Sequence, residues 1–201
     1  MDPNQLFEMA LQVSGGWKVV RSEFSGEPRR LELWLDFVPG TKFPDPQSKE
    51  LCPVHDTTDK QWRHLNFWQY ETILHARVPR IRNAAGEVRL VEVPWAREGS
   101  GFTLMMEAFV LLLSQEMPLA TVAEMLGIHD TRLWRIVAHY VEQAQRERSW
   151  AGVQRILIDE TSARKGHRYV SNVLDADTRE LLLMVEGRES TALLAFAQEL
   201  L

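Results

Sequence analysis

The arrangement in this chain best suited to chemistry is a carboxylate that closes an apolar run and is followed by basic residues. The run is Ile156-Leu157-Ile158, the carboxylate is Asp159, and Arg164, Lys165, His167 and Arg168 follow within ten residues. Three consecutive apolar, β-prone residues suit a central strand packed on both faces. Asp159 then sits where that strand leaves the core. Two or three carboxylates gathered at such a point hold two metal ions, which activate water and stabilise the leaving oxygen of a phosphodiester. A single Asp at a strand end is equally a turn former or a helix cap. Arg164 and Lys165, with His167, are placed either to meet a DNA phosphate beside the metal site or to form a solvated loop.

The elements around Asp159 sharpen this reading. A second strand is expected over Tyr169–Leu174, a turn at Asp175-Ala176-Asp177-Thr178, a third strand over Glu180–Val185, and a helix from about Ser190 to Leu201. Three strands and a helix, with an Asp on the first strand, are how an RNase H-like nuclease domain begins. Turn chemistry accounts for Asp175 and Asp177 without a metal. Glu160 faces away from Asp159, because neighbouring strand residues point to opposite sides.

A second motif is Cys52-Pro53-Val54-His55, a C-x2-H spacing. Two such pairs brought together make a tetrahedral structural zinc site. The second pair is expected in the turn between strands at Glu71–Val78 and Val88–Val93, where the chain carries Asn83-Ala84-Ala85-Gly86 instead. Neither Asn nor Gly completes a zinc site, and His64 and His75 have no specific spacing to replace them. High-affinity structural zinc is therefore not expected at Cys52 and His55, and the region is expected to be held by its hairpins and by Trp62, Phe67 and Trp68. Cys52 is the only cysteine, so no intramolecular disulfide forms.

From Phe102 the hydrophobic period becomes helical. Thr103 caps a helix carrying Met106, Phe109, Val110 and Leu113, and Pro118 opens a second helix, Leu119–Leu126. Gly127-Ile128-His129-Asp130 forms a turn, and Asp130 or Thr131 caps a third helix that reaches about Arg146. A short helix, a Gly-containing turn and a longer helix are a helix-turn-helix pattern. Ala123, Leu126, Ile128, Leu133, Ile136 and Val137 form its core. Thr131, Arg132, Arg135 and His139 fall outside that core and face a DNA groove; the bland alternative is an αα-hairpin with no DNA role.

The N-terminal part alternates. Asp2-Pro3 starts a short helix, Trp17–Phe24 reads as a strand, and Leu31, Leu33, Leu35 and Phe37 form the buried face of its hairpin partner. Pro39–Pro46 reads as a loop and Pro94–Gly101 as a linker. The net charge of −5 argues against nucleic acid binding over the whole surface. Residues 61–100 alone have a positive balance, with six arginines against four acids, so DNA contact there is local or the run is a solvated face. The N-terminus lacks the basic start and apolar run of a signal peptide, and no apolar run is long enough to span a bilayer, which is compatible with a reducing cytoplasm.

Taken in order, these segments resemble the ISL-three family of bacterial insertion-sequence transposases. The resemblance is carried by Trp62-Arg63-His64-Leu65, His75-Ala76-Arg77-Val78-Pro79-Arg80, Val93-Pro94-Trp95-Ala96-Arg97, Asp130-Thr131-Arg132-Leu133-Trp134-Arg135 and Ile158-Asp159-Glu160-Thr161-Ser162. Arg164-Lys165-Gly166-His167-Arg168-Tyr169 and Glu186-Gly187-Arg188 continue it. It implies an α+β chain in three parts: residues 1–98, a hairpin and degenerate zinc-finger-like region; 99–150, a helix-turn-helix; and 151–201, the start of an RNase H-like domain of the DDE type. Asp159 matches the first catalytic aspartate and a ligand of Mg2+, the cofactor expected of the intact enzyme. Cys52 and His55 match the first zinc pair. The other members of the catalytic triad are expected beyond Leu201, as in a truncated transposase that is inactive alone. The expected partner is double-stranded DNA of the element's terminal repeats, with a second copy or full-length transposase as a further partner and no membrane. The alternative is a binding-only remnant that represses transposition.

Overall fold

A computed structural model describes residues 2–164 and 168–186. The elements run α1 (Pro3–Leu11), β1 (Trp17–Ser25), β2 (Arg30–Phe37), β3 (Lys42–Pro44), β4 (Leu51–Phe67), β5 (Tyr70–Arg82) and β6 (Val88–Leu90). Then follow α2 (Leu104–Glu116), α3 (Leu119–Leu126), α4 (Asp130–Glu147), β7 (Ile156–Arg164), β8 (Arg168–Asp175) and β9 (Leu181–Glu186). The fold is α+β, as the sequence pattern implied. It divides into two compact units at His139/Tyr140, within α4.

In the first unit the strands form one sheet ordered β1-β2-β5-β4-β3, with β6 paired to β5. β1 and β2 are the expected antiparallel hairpin, whereas β2 and β5 run parallel. Strand alternation fixes which side is buried: Leu31, Leu33 and Leu35 of β2 and Leu74, Ala76 and Val78 of β5 point into the core. Trp17, Trp62 and Trp95 join them. α1 begins as expected, with the Asp2 carboxylate accepting the Asn4 amide and Pro3 in the first turn.

Three local expectations change. The segment 39–46 is not all loop, because Phe43 is buried and pairs with Cys52 to form β3 against β4. The segment 94–101 is not a free linker. Trp95 and Ala96 are buried, and Gly101–Thr103 runs beside Arg63: the Arg63 amide donates to Gly101 O at 2.9 Å and the Thr103 amide to Arg63 O at 3.1 Å. Trp68, expected to help hold this region, is 80% exposed. It follows a strand end at positive φ, where its ring has little core to enter.

In the second unit β7, β8 and β9 form an antiparallel sheet in that order. The expected strands and the Asp175 turn are present, with the Asp175 carboxylate accepting the amides of Asp177 at 2.7 Å and Thr178 at 3.3 Å. β7 differs from the expectation of a strand covered on both faces. Among the described strands it lies at the edge, and Ile156, Leu157 and Ile158 are all exposed. β8 takes the central place: Val173 and Ser171 are buried, and Val173 packs with Leu182, Trp150 and Val153. The helix expected from Ser190, or from Glu189, to Leu201 lies outside the described residues.

Candidate nucleic-acid interface and carboxylate site

The helix-turn-helix boundaries follow from local chemistry. Thr103 Oγ1 accepts the Met106 amide at 3.3 Å and caps α2. α3 ends at Gly127, which adopts φ 62°, a left-handed conformation that glycine enters without a side-chain clash. The Ile128 amide then reaches back to Ala123 O at 3.0 Å and its side chain is buried, which fixes the turn before α4. Ala123, Ile128, Leu133 and Ile136 are buried as expected, while Leu126 and Val137 are half-buried. Leu119 and Val122 belong to this core as well.

The opposite side of α4 faces solvent. Thr131, Arg132, Arg135 and His139 are all exposed. Between the arginines stands Trp134, 57% exposed, which sequence reading placed in no site. The Thr131 hydroxyl lies 2.8 Å from His129 Nδ1, so it is engaged at the helix start. The Arg132 guanidinium lies over the Phe102 ring, with Cζ 4.4 Å from its centroid. Neither Arg132 nor Arg135 has a carboxylate within ion-pair distance among the described residues.

The arginines of residues 61–100 behave differently. Arg63 meets Glu71 at 3.0 Å, Arg77 meets Asp36 at 3.3 Å, and Arg89 meets Asp45 at 3.0 Å. Arg80 grips Asp56 through two contacts of 2.6 Å, and Arg97 meets the buried Glu107 at 2.9 Å. Arg82 contacts His55. The Arg80 hydrogen bond holds the Asp56 carboxyl below its ordinary titration range and raises Arg80 in turn. The local positive count misleads because Asp36, Asp45, Asp56 and Glu107 come from outside that window. Of these arginines Arg77, Arg80 and Arg82 are exposed, while Arg63 is buried and Arg89 and Arg97 are half-buried against their acids.

The zinc-like pair is split between two environments. Cys52 is buried in the hydrophobic core, and His55 is exposed at a register shift in β4, with its Nε2 3.1 Å from Arg82. Asn83 turns the β5–β6 connection by bonding Glu87. His64 is engaged with Thr103 and His75 stacks on Trp34 at 5.1 Å between ring centroids. Among the described residues no group of three or more His, Cys, Asp or Glu is arranged to hold a metal ion.

Asp159 is the fourth residue of β7, in register with Asn172 of β8, and not at the strand end. The strand continues because Glu160, Thr161 and Ser162 keep pairing with Ser171, Val170 and Tyr169. Its carboxylate is exposed and accepts a long hydrogen bond from the Thr161 hydroxyl at 3.5 Å; Asn172 Nδ2 donates to that hydroxyl at 3.4 Å. Asn172 Oδ1 is buried without a hydrogen-bond partner. Arg164 closes β7, and Lys165 and His167 lie outside the described residues. No helix among the described residues is long and apolar enough to cross a membrane.

Comparison with known proteins matches both segments. Residues 91–141 match a family model described as the helix-turn-helix domain of transposase family ISL3, and residues 156–201 match one described as transposase. The transposase for insertion sequence element IS1557 of Mycobacterium tuberculosis is 31% identical over 135 residues, covering 67% of this chain and 30% of that protein. The transposase for insertion sequence element IS1001 of Bordetella parapertussis is 28% identical over 195 residues, covering 92% of this chain and 47% of the relative. The chain thus spans less than half the length of these curated relatives. No solved structure matches it significantly. On the two family segments and these relatives, the chain belongs to the ISL3 family of insertion-sequence transposases.

Proposed function

We propose that the chain recognises the terminal repeats of its insertion sequence through the exposed side of α4, and that Asp159 is the first carboxylate of a DDE site for cutting and joining DNA. The observation that carries the binding half is the contrast between two sets of arginines. Arg63, Arg77, Arg80, Arg89 and Arg97 are matched by carboxylates, whereas Arg132 and Arg135 on α4 have none and stand outside the helix-turn-helix core. In this reading residues 1–98 are a degenerate zinc-finger-like region, 99–150 the DNA-binding region, and 151–201 the beginning of an RNase H-like domain. Thr131, His139, Arg164 and Lys165 are further DNA contacts. A second copy of the chain or a full-length transposase is a further partner on the same DNA.

The family chemistry calls for divalent metal, with Mg2+ the ion proposed. The described residues do not by themselves make that site: Asp159 stands beside Thr161 and Asn172, and no group of three or more His, Cys, Asp or Glu gathers among the described residues. No cleavage step is therefore derived from this geometry. Zinc does not fit Cys52 and His55, since one is in the core and the other at the surface.

The test is fluorescence anisotropy with a labelled duplex carrying the element's end and a scrambled duplex of equal length. The expected result is tighter binding to the element's end, with Arg135→Ala reducing the preference. An arginine that reads guanine supplies about 1–3 kcal/mol of discrimination. If Arg135 touches phosphate alone, both duplexes weaken together and the salt slope falls by about one unit. Absence of binding at low salt would overturn the proposal.

A further inference from the structure

We infer that Phe102 is a positioning residue for DNA recognition, holding the Arg132 guanidinium over its ring at the start of α4 so that its N–H edge is presented to a phosphate or a base. This rests on the proposed DNA-binding role of α4 and adds the device that sets one of its contacts.

Three observations support it. First, Arg132 has no hydrogen bond and no carboxylate partner among the described residues, yet it is ordered by the Phe102 ring 4.4 Å away. A guanidinium stacked on an aromatic face keeps its in-plane donors free, because the ring uses the flat side and not the edge. Stacking also restricts a long side chain before binding, so less conformational freedom is lost when an anion arrives. Second, Phe102 is itself fixed. Its neighbours Gly101 and Thr103 bond both sides of Arg63 on β4. The Phe102 amide donates to Ser100 Oγ at 3.0 Å, and that hydroxyl donates to Glu107 at 2.5 Å. Glu107 is in turn held by Arg97. Third, the guanidinium is packed close to the backbone beside the ring: a Cβ built on Gly101 would meet Arg132 Nη2 at 3.4 Å, an ordinary contact. Arg63, a cation close enough to feel the Arg132 charge, is committed to Glu71 and to backbone carbonyls, which leaves Arg132 for an outside anion.

The experiment is a double-mutant cycle on the full chain, using anisotropy with the element-end duplex. Phe102→Leu keeps an apolar side chain but removes the ring; thermal unfolding checks that it folds. The expected loss is about two- to fivefold in affinity, the effect of a partly exposed cation–π contact. Arg132→Ala should weaken binding more, and adding Phe102→Leu to it should change nothing further. Phe102→Tyr should retain binding, and Arg132→Lys, which keeps the charge without the guanidinium, should bind more weakly than wild type. Phe102→Leu binding as wild type, or weakening Arg132→Ala by its own full factor, overturns the inference. If Arg135→Ala weakens binding while Arg132→Ala does not, the inference fails and the DNA-binding reading stands. If neither arginine matters, the reading beneath it fails as well.

Discussion

His64 Nδ1 lies 2.8 Å from Thr103 Oγ1, and the same hydroxyl caps α2 by accepting the Met106 amide. A hydroxyl that accepts from the helix has its proton left to give to the imidazole. A neutral His64 can make this contact with Nδ1 accepting that proton. Burial, with the Arg63 charge beside it, lowers His64 from 6.5 to about 4.

A pH dependence follows. Above pH 6.5 both the folded and the unfolded chain carry neutral His64, and the residue contributes nothing to the slope. As pH falls below 6.5 the unfolded chain binds a proton that the folded chain refuses until about pH 4. Stability is lost across that window by up to about 1.4 kcal/mol per pH unit. Asp45, Asp56 and Asp175 are lowered below the ordinary 3.8, so their stabilisation is lost as pH falls through about 3.8 and below, under most of the His64 window. Urea unfolding between pH 7 and about 4.5 should show the slope, and His64→Gln should flatten it. An unchanged slope in that variant would contradict the assignment.

The Arg97–Glu107 pair gives a second expectation. Glu107 is fully buried on α2, and Arg97 and Ser100 both reach it. Removing the acid leaves a partly buried guanidinium without its counter-charge, and breaking such a pair costs about 3–5 kcal/mol. Arg97 retains some solvent access, so the lower end applies. Glu107→Ala should lower urea stability by about 3 kcal/mol, and Ser100→Ala by about 1 kcal/mol. Equal stability of Glu107→Ala and wild type would mean that the cluster has another support.

These two clusters mark where the sequence stopped being informative. Leu31, Leu33, Leu35 and the turn at Gly127 were legible because strand alternation and left-handed capping are local properties. So was the division of α4 into a buried and an exposed side. The pairing of Arg80 with Asp56, 24 positions away, was not, because ion partners are chosen by sheet register. Glu107 left a weak signal, a lone acid in the apolar run of α2. Phe102 left none, since a core aromatic and a guanidinium platform look alike in sequence. Asp159 was singled out by its residue type and by the resemblance, but its place in mid-strand depended on polar residues continuing the pairing.

Cys52 tests the degenerate zinc reading. It is buried beside Phe43 and the core of β4, while His55 is turned to solvent near Arg82. Two ligands are too few for a closed tetrahedral site. Metal analysis of the purified chain should find well below one zinc per chain, and chelator should leave the melting curve unchanged. Cys52→Ala should cost about 1 kcal/mol through lost packing alone. Stoichiometric zinc lost on Cys52→Ala would instead require His64 or His75 as ligands.

The last prediction concerns β7. Among the described strands it has a partner on one side, β8, while Ile156, Leu157 and Ile158 are 39%, 41% and 53% exposed. Strand edges with adjacent apolar residues offer unpaired backbone groups to another chain, and a lysine on the edge discourages this. Ile158→Lys replaces the most exposed of the three; its cross-strand neighbour on the same face is the buried Val173, which the substitution leaves in place. Light scattering of the purified chain should rise with concentration, and Ile158→Lys should suppress that rise while changing urea stability by no more than about 1 kcal/mol, as expected of a surface substitution. If the lysine instead unfolds the second unit, Ile158 is covered in solution and β7 is the internal strand that its composition first implied.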